Sequence, residues 1–174
     1  MYLLDTTIVS DIVNSGSSRH KAAVAFIESN RLYEDQVFVS TITLGELRFG
    51  REIRPLQAPT PTQKQLEEID RRIASAEAFS GPLDITHHVA ADYARLRAAY
   101  AQGVAPRLVQ AKKLKSRPPE LWVHEIPASQ LQITENDLWI AALAVTYELA
   151  LVTGDKDYGK ISTHFSELKI LRIT

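Results

Sequence analysis

Four short apolar runs, separated by longer segments, mark the strands of a predicted sheet. They lie at residues 2–4, 37–40, 149–153 and 168–173. Runs of this kind, rich in Leu, Ile and Val, are typical of buried parallel strands. Because the segments between them are long enough to hold helices, the pattern predicts an α/β fold in which helices cover a central parallel sheet.

Three of the intervening segments have the periodicity of helices. Apolar side chains recur every three to four positions from Leu66 to Phe79 and again from Val89 to Tyr100, which predicts two amphipathic helices. The segment 138–147 is apolar on nearly every side. It is therefore predicted to be a buried helix.

Residues 103–133 interrupt this regular pattern. The segment is rich in proline and has no clear period, so we interpret it as an insert within one domain spanning residues 1–174, with one helix at about 108–114. Its first half, residues 103–117, carries five Arg and Lys side chains and no acid. Such a cluster is either an RNA-facing patch or an ordinary solvated surface.

Composition excludes several classes of protein. The chain has no cysteine, which removes disulfides, thiolate nucleophiles and thiolate zinc sites and fits a reducing cytoplasm. No basic leader precedes the first apolar run, which Asp5 interrupts early, and no apolar stretch approaches the roughly 20 residues that span a bilayer. We therefore expect a cytoplasmic protein that does not enter the membrane.

Four acids that are far apart in sequence lie at predicted strand ends or at the starts of predicted helices. Asp5 follows the first strand, Asp155 lies just beyond the third, Glu46 opens the helix after the second, and Asp137 opens the buried helix. Ligands of open α/β sheets bind at the carboxyl ends of the strands, where these side chains are expected to converge. Converging like charges are destabilising unless a cation compensates them, and Mg²⁺ is the natural partner of carboxylates.

Each acid also has a purely structural explanation. Glu46 and Asp137 both follow a threonine by three residues, as in a helix capping box. Asp5 is a suitable cap for a helix starting near residue 6, and residues 155–157 fit an ordinary turn. The structural explanation is the more common one for any single acid, but the coincidence of four favours a metal site.

Other chemistries find less support. The chain contains neither a G-x-G-x-x-G nor a G-x-x-x-x-G-K-[ST] motif, so no nucleotide-binding loop is predicted. The adjacent His87 and His88 are interpreted as structural, because neighbouring side chains on a helix are expected to point in different directions.

Four motifs, taken together, carry a family resemblance. They are LLDTTIVSDI, STITLGELRFG, NDLWIAALA and LVTGDKDY. In this order they resemble the PIN-domain nucleases, specifically the VapC-type toxins of bacterial type II toxin–antitoxin pairs. The resemblance implies a three-layer α/β/α sandwich, dependence on Mg²⁺ or Mn²⁺, and endonucleolytic cleavage of structured RNA such as tRNA or rRNA. It also implies a cognate VapB-type antitoxin and a homodimer.

The resemblance assigns site residues by position. Asp5, Glu46 and Asp137 correspond to the first three catalytic and metal-binding acids. The fourth is Asp155 or Asp157, and Asp155 is preferred because it lies at the strand end.

Residues around these acids follow the family less uniformly. Thr6 and Thr153 correspond to hydroxyl residues that support the acids. Tyr158 stands where phenylalanine is usual, and the insert at 103–133 replaces a shorter link. Arginines 48, 51 and 54 and the 107–117 cluster are the candidate RNA-binding cations. A nuclease of RNA maturation and a non-catalytic PIN-fold binding module fit the same motifs.

Overall fold

The computed structural model describes residues 1–30, 36–78 and 82–173. Within them, four strands form one sheet in the order β2-β1-β3-β4, and every pairing is parallel. The strands are β1 (Tyr2–Leu4), β2 (Val37–Phe38), β3 (Ala150–Thr153) and β4 (Lys169–Arg172). The two central strands, β1 and β3, therefore end side by side, and the residues that follow them meet at one edge of the sheet.

Ten helices surround this sheet in the described part of the chain. They are α1 (Thr6–Val13), α2 (His20–Ser29), α3 (Thr41–Ile53), α4 (Gln63–Glu77), α5 (His87–Val104), α6 (Pro106–Val109), α7 (Lys112–Lys115), α8 (Trp122–Glu125), α9 (Glu135–Thr146) and α10 (Asp157–His164). Short 3-10 turns lie at Arg54–Leu56, Pro119–Leu121 and Ala128–Leu131. None of these helices is both long and apolar enough to cross a membrane.

The alternation of side chains along the central strands divides the core into two halves. Leu3 and Leu151 pack on one face with α5, α9 and α10. Leu4 and Val152 pack on the other face with α1, α3 and α4. Successive strand residues point to opposite faces, so both faces of the sheet are buried under helices. This arrangement confirms the predicted three-layer α/β/α sandwich.

The strand predictions agree with the structure except at the second run. That strand is only Val37–Phe38, and Ser40 forms a single bridge with Leu83. The run ends early because Ser40 caps α3, its hydroxyl oxygen accepting a hydrogen bond from the amide of Thr43 at 2.9 Å. Ser40 itself is still extended, but the helix that begins at Thr41 leaves no room for a longer strand.

The predicted long helices are present as α4, α5 and α9, and α9 is buried over most of its length. Phe79, the last apolar residue predicted for the first of them, lies outside the described residues. The single helix predicted at 108–114 is wrong, because α6 and α7 are separate. Ala111 has an extended backbone, with ψ at 134°, and this breaks the helical hydrogen bonding between them.

Candidate active site

Asp5 occupies the end of the central strand β1 and is almost fully buried, with 2% of its surface exposed. Its carboxylate accepts hydrogen bonds from the amide of Ile8 at 2.8 Å, from Thr7 Oγ1 at 2.9 Å and from Thr153 Oγ1 at 2.5 Å. The bond from Ile8 makes Asp5 the cap of α1, which confirms the capping prediction. Asp5 is therefore fixed by both central strands and by the first turn of α1.

Burial raises the pKa of Asp5 above its ordinary value, and the charge of Asp137 adds to the rise. The hydrogen bonds from Thr153, Ile8 and Thr7 oppose it. The carboxylate is well supplied with donors and nevertheless holds its proton more tightly than a free aspartate. A positive charge next to Asp5 would stabilise its ionised form and lower its pKa.

Asp137 reaches the same edge from the first turn of α9. The Asp137 amide donates to Thr134 Oγ1 at 3.1 Å, and the Thr134 amide donates to Asp137 Oδ2 at 3.3 Å, which confirms the predicted capping box. The Thr134 hydroxyl also donates to Oδ2, at 2.6 Å. Burial also raises the pKa of Asp137, with a further contribution from the charge of Asp155. Asp137 therefore both caps α9 and lies within reach of the charge of Asp155.

Glu46 lies deeper in its helix than the sequence indicated. Because α3 begins at Thr41 with Ser40 as its cap, Glu46 is in the second turn, and the capping box predicted for it with Thr43 is wrong. Its carboxylate instead accepts hydrogen bonds from the Thr6 hydroxyl and, at 2.7 Å, from the side-chain nitrogen Nδ2 of Asn136. Glu46 is therefore tied to α1 and to α9, the helices that follow Asp5 and carry Asp137.

The two acids of the loop after β3 have different partners. The amide of Asp155 donates to Thr153 Oγ1 at 2.9 Å, and Asp155 Oδ1 accepts from the amide of Asp157 at 2.8 Å. Asp157 forms an ion pair with Lys160 at 2.7 Å on the first turn of α10. Asp155 is the one whose charge acts on Asp137, whereas the charge of Asp157 is matched by a lysine.

Tyr158 is a central residue that the sequence did not single out for a role. Its hydroxyl donates to Asp137 Oδ1 at 3.1 Å. Burial raises its pKa well above the ordinary value, and the charges of Asp137, Asp5 and Glu46 act in the same direction. The charges of three of the four predicted acids therefore act on one hydroxyl group, as expected if these acids lie near one another.

The hydroxyl supports implied by the resemblance are present as hydrogen bonds, from Thr6 to Glu46 and from Thr153 to Asp5. Thr7 and Asn136 were missed. Both lie inside the quoted motifs, next to Thr6 and Asp137, but the sequence gives no indication of where their side chains point. A cavity of about 560 Å³ opens beside Glu46, and it is lined by Ile42, Gly45, Glu46, Phe49 and Asn136.

The donors of this site suit a hard divalent cation, because they are carboxylate oxygens backed by hydroxyl groups. Within residues 1–30, 36–78 and 82–173, no three His, Cys, Asp or Glu side chains stand close enough together to form a ready-made metal cage. Mg²⁺ commonly binds through one or two carboxylates and keeps several waters. The raised pKa values of Asp5 and Asp137 fit a site of that kind.

Four of the eight predicted RNA-binding cations form ion pairs with carboxylates of the described residues. Arg48 and Arg51 on α3 form ion pairs with Glu77 and Asp70 of α4. In the insert, Lys113 and Arg117 both contact Glu125, at 2.6 and 3.6 Å. The exposed side chains that have no carboxylate partner among the described residues are Arg107, Lys112 and Lys115.

The expectation that His87 and His88 point apart is wrong. Their ring centroids lie 3.8 Å from each other at the start of α5. In the first turn of a helix the side chains are not yet confined by a preceding turn, so adjacent rings can approach.

Comparisons with known proteins agree with this architecture. The family model for the PIN domain matches residues 2–163. A relative named Ribonuclease VapC4, from Mycobacterium tuberculosis (strain ATCC 25618 / H37Rv), is 32% identical over 123 residues, which are 69% of this chain and 67% of that protein.

Solved structures share the fold along nearly the whole chain. FitAcB from Neisseria gonorrhoeae has a TM-score of 0.64 at 24% identity, covering 99% of this chain and 97% of that chain. VapBC2 from Rickettsia felis, bound to a DNA fragment from its promoter, has a TM-score of 0.63 at 18% identity, covering 99% and 98%. Together with the match to the family model and the VapC-type relative, this similarity shows that the chain belongs to the PIN-domain family and to its VapC-type members.

Proposed function

We propose that this protein is a Mg²⁺-dependent endoribonuclease toxin that cleaves structured RNA and is neutralised by a VapB-type antitoxin. The observation that carries the proposal is that the buried Asp5 and the half-buried Asp137, which come from distant parts of the chain, lie close enough for the charge of Asp137 to raise the pKa of Asp5. Holding them together costs folding free energy. A cation that makes them useful in catalysis explains why the fold retains both.

Asp5 and Asp137 would hold the metal as its chief ligands, and Glu46 and Asp155 would complete the site directly or through water. When bound, such an ion lowers the pKa of a water molecule and polarises a phosphoryl oxygen. Mn²⁺ is an alternative with similar ligand preferences. The reaction is hydrolysis of a phosphodiester bond.

The protein side chains keep the ligands in place. Thr153 donates to Oδ2 of Asp5 and Thr7 to Oδ1, while Thr134 and Tyr158 each hold one oxygen of Asp137. Asn136 and Thr6 do the same for Glu46. The donors to Asp5 and Asp137 lower the pKa values of these two carboxyl groups, and so favour the charged form that binds a cation in spite of burial.

The proposed partners follow from the relatives. Ribonuclease VapC4 is named for RNA cleavage, and several of the similar structures are toxin–antitoxin complexes. We assign to this chain a VapB-type antitoxin, a homodimeric state, tRNA or rRNA as the substrate class, and the cytoplasm as its location.

Cleavage of labelled bulk tRNA and rRNA with Mg²⁺ and with EDTA tests the proposal. Wild-type protein should cut RNA only with the metal, and D137N and D5N should be inactive. R95Q on α5 is the matched control, because Arg95 is bound to Asp92 and Glu167 and lies outside the acidic cluster. Failure of the wild type to cut any RNA with Mg²⁺ or Mn²⁺ would favour a non-catalytic binding module. Cleavage unaffected by a co-expressed VapB-type protein would favour a nuclease of RNA maturation.

A further inference from the structure

Arg19, just before α2, is held by a buried carboxylate that the proposed chemistry does not use. Its Nε donates to Asp11 Oδ2 at 2.8 Å. Asp11, with 6% of its surface exposed, is itself fixed, because its Oδ1 accepts from Ser17 Oγ at 2.5 Å and its carbonyl contacts His20 Nδ1 at 2.9 Å. A guanidinium that is anchored through Nε has a defined plane and direction.

The Arg19 guanidinium points toward the loop after β3, which carries Asp155. A Cβ atom built on Gly154 would lie 2.6 Å from Arg19 Nη1 and 3.4 Å from Thr7 Oγ1. Gly154 joins Thr153, which bonds to Asp5, to Asp155. The guanidinium therefore lies against the backbone between two of the predicted acids, and the lack of a side chain at Gly154 makes this approach possible.

The outer nitrogens of Arg19 remain available. Nη1 and Nη2 have no hydrogen-bond acceptor among the residues that the structure describes. Arg95, in contrast, places its two outer nitrogens on Asp92 and Glu167. The Arg19 side chain is 39% exposed, so an incoming group can reach these donors.

We propose that Arg19 and Gly154 form a phosphate-binding subsite, in which the outer nitrogens of Arg19 bind a phosphodiester of the RNA strand next to the bond that is cut. A planar fork of N–H donors matches the oxygens of a phosphate group in a bidentate way. The four acids repel an RNA backbone, and Arg19 is a cation placed beside them that opposes this repulsion locally. The inference rests on the proposed function, because it takes RNA as the polyanion that enters the site.

Fluorescence anisotropy with fluorescein-labelled bulk tRNA in EDTA measures the subsite without cleavage. R19Q should weaken binding about 10- to 100-fold, the factor expected for losing hydrogen bonds to a charged group. The slope of log affinity against log salt should fall by roughly 0.7 to 0.9, as for one phosphate contact. R95Q removes one positive charge from α5, away from the proposed subsite. It should therefore change the tRNA affinity and the salt slope much less than R19Q does.

Two further variants separate the subsite from a structural role of Arg19. G154A keeps the charge but places a methyl group 2.6 Å from the present position of Nη1, so the guanidinium has to shift. It should weaken tRNA binding while leaving the Arg19–Asp11 pair able to form. R19K retains the charge without the fork and should bind tRNA more weakly than wild type and more tightly than R19Q. Thermal melting of each variant shows whether the fold is retained.

The outcomes distinguish this inference from the proposed function. If wild type cuts RNA and R19Q and G154A bind tRNA as R95Q does, the subsite is wrong and the nuclease proposal stands. If wild type does not cut RNA, the nuclease proposal fails, and the tRNA affinities still decide whether Arg19 binds phosphate. Weaker binding by R19Q that is fully explained by loss of folding, with G154A unchanged, would assign Arg19 to structure alone.

Discussion

Tyr158 and Asp137 are joined by a hydrogen bond of 3.1 Å, from a hydroxyl group on a side chain with only 1% of its surface exposed. The bond favours the ionised form of Asp137 and so lowers its pKa, opposing the larger effect of burial. A tyrosine whose own pKa is raised well above the ordinary value stays protonated and remains a donor. It thus holds one carboxylate oxygen without competing for a cation.

Replacing Tyr158 with phenylalanine should shift the pH profile of RNA cleavage. Without the donor, the pKa of Asp137 rises further, so the acid limb of the profile should move to higher pH. Activity near neutral pH should fall by roughly 10- to 100-fold, as for other residues that orient a metal ligand. Cleavage rates measured across the pH range test this, and an unmoved acid limb would show that the hydroxyl has no part in the chemistry.

The D137N variant should lose RNA cleavage without losing stability. The folded pKa of Asp137 is raised, so its ionised form destabilises the metal-free protein at all pH values above the folded pKa. Neutralising it removes this cost, and the amide oxygen of asparagine can still accept from Thr134. Thermal melting in EDTA should therefore give an unchanged or higher Tm. A lower Tm combined with retained cleavage would leave Asp137 with a capping role only.

Mg²⁺ should raise the Tm of the wild-type protein, and the increase should grow with pH. Asp5 and Asp137 both have raised pKa values, so acidification protonates them before ordinary aspartates and removes the charged ligands. A ligand that binds only the folded state stabilises it by mass action. Melting curves at several Mg²⁺ concentrations measure the effect. The D5N D137N double variant should show no increase, and an increase of wild-type size there would locate the ion elsewhere.

Substitution of the two loop acids should separate their roles. D155N should abolish RNA cleavage, since Asp155 is the acid whose charge acts on Asp137. D157N breaks the partly exposed pair with Lys160, which should change stability little because solvent screens such pairs, and it should leave cleavage nearly unchanged. Parallel rate measurements on the two proteins decide the matter. The opposite order of effects would make Asp157 the fourth acid.

In the insert, the K112A K115A double variant should bind RNA more weakly and with a flatter salt dependence than wild type. Both lysines are exposed and lack a carboxylate partner among the described residues, whereas Lys113 is bound to Glu125. K113A is therefore the control, and its effect on tRNA binding should be smaller. Equal salt slopes for all three proteins would give the cluster another role.

The strand ends were the most predictable part of the site. Asp5 and Asp155 each follow an apolar run, and the parallel order of β1 and β3 brings them to one edge. Glu46 was harder, because its place depends on whether the helix starts at Ser40 or Thr43, and both residues are good caps. The structure begins α3 after Ser40, and the carboxylate is then free for Thr6 and Asn136.

Contacts that join distant elements were beyond the sequence alone. The bond from Tyr158 to Asp137 links α10 with α9, and the direction of Arg19 depends on a buried aspartate eight residues earlier. The break between α6 and α7 falls at Ala111. Alanine favours helices, so the sequence gives no indication of a break there. Such features depend on tertiary packing, which cannot be predicted from the hydrophobic periodicity of the sequence.

The cap that Asp5 places on α1 has a consequence for how the proposed activity could be controlled. The amide of Ile8 and the proposed cation depend on the same carboxylate. Unwinding the first turn of α1 would remove the donors that Ile8 and Thr7 provide to Asp5, and of the three donors described above only Thr153, on β3, would still hold it. A macromolecule that bound α1 and unwound that turn would therefore loosen a proposed metal ligand without entering the cleft.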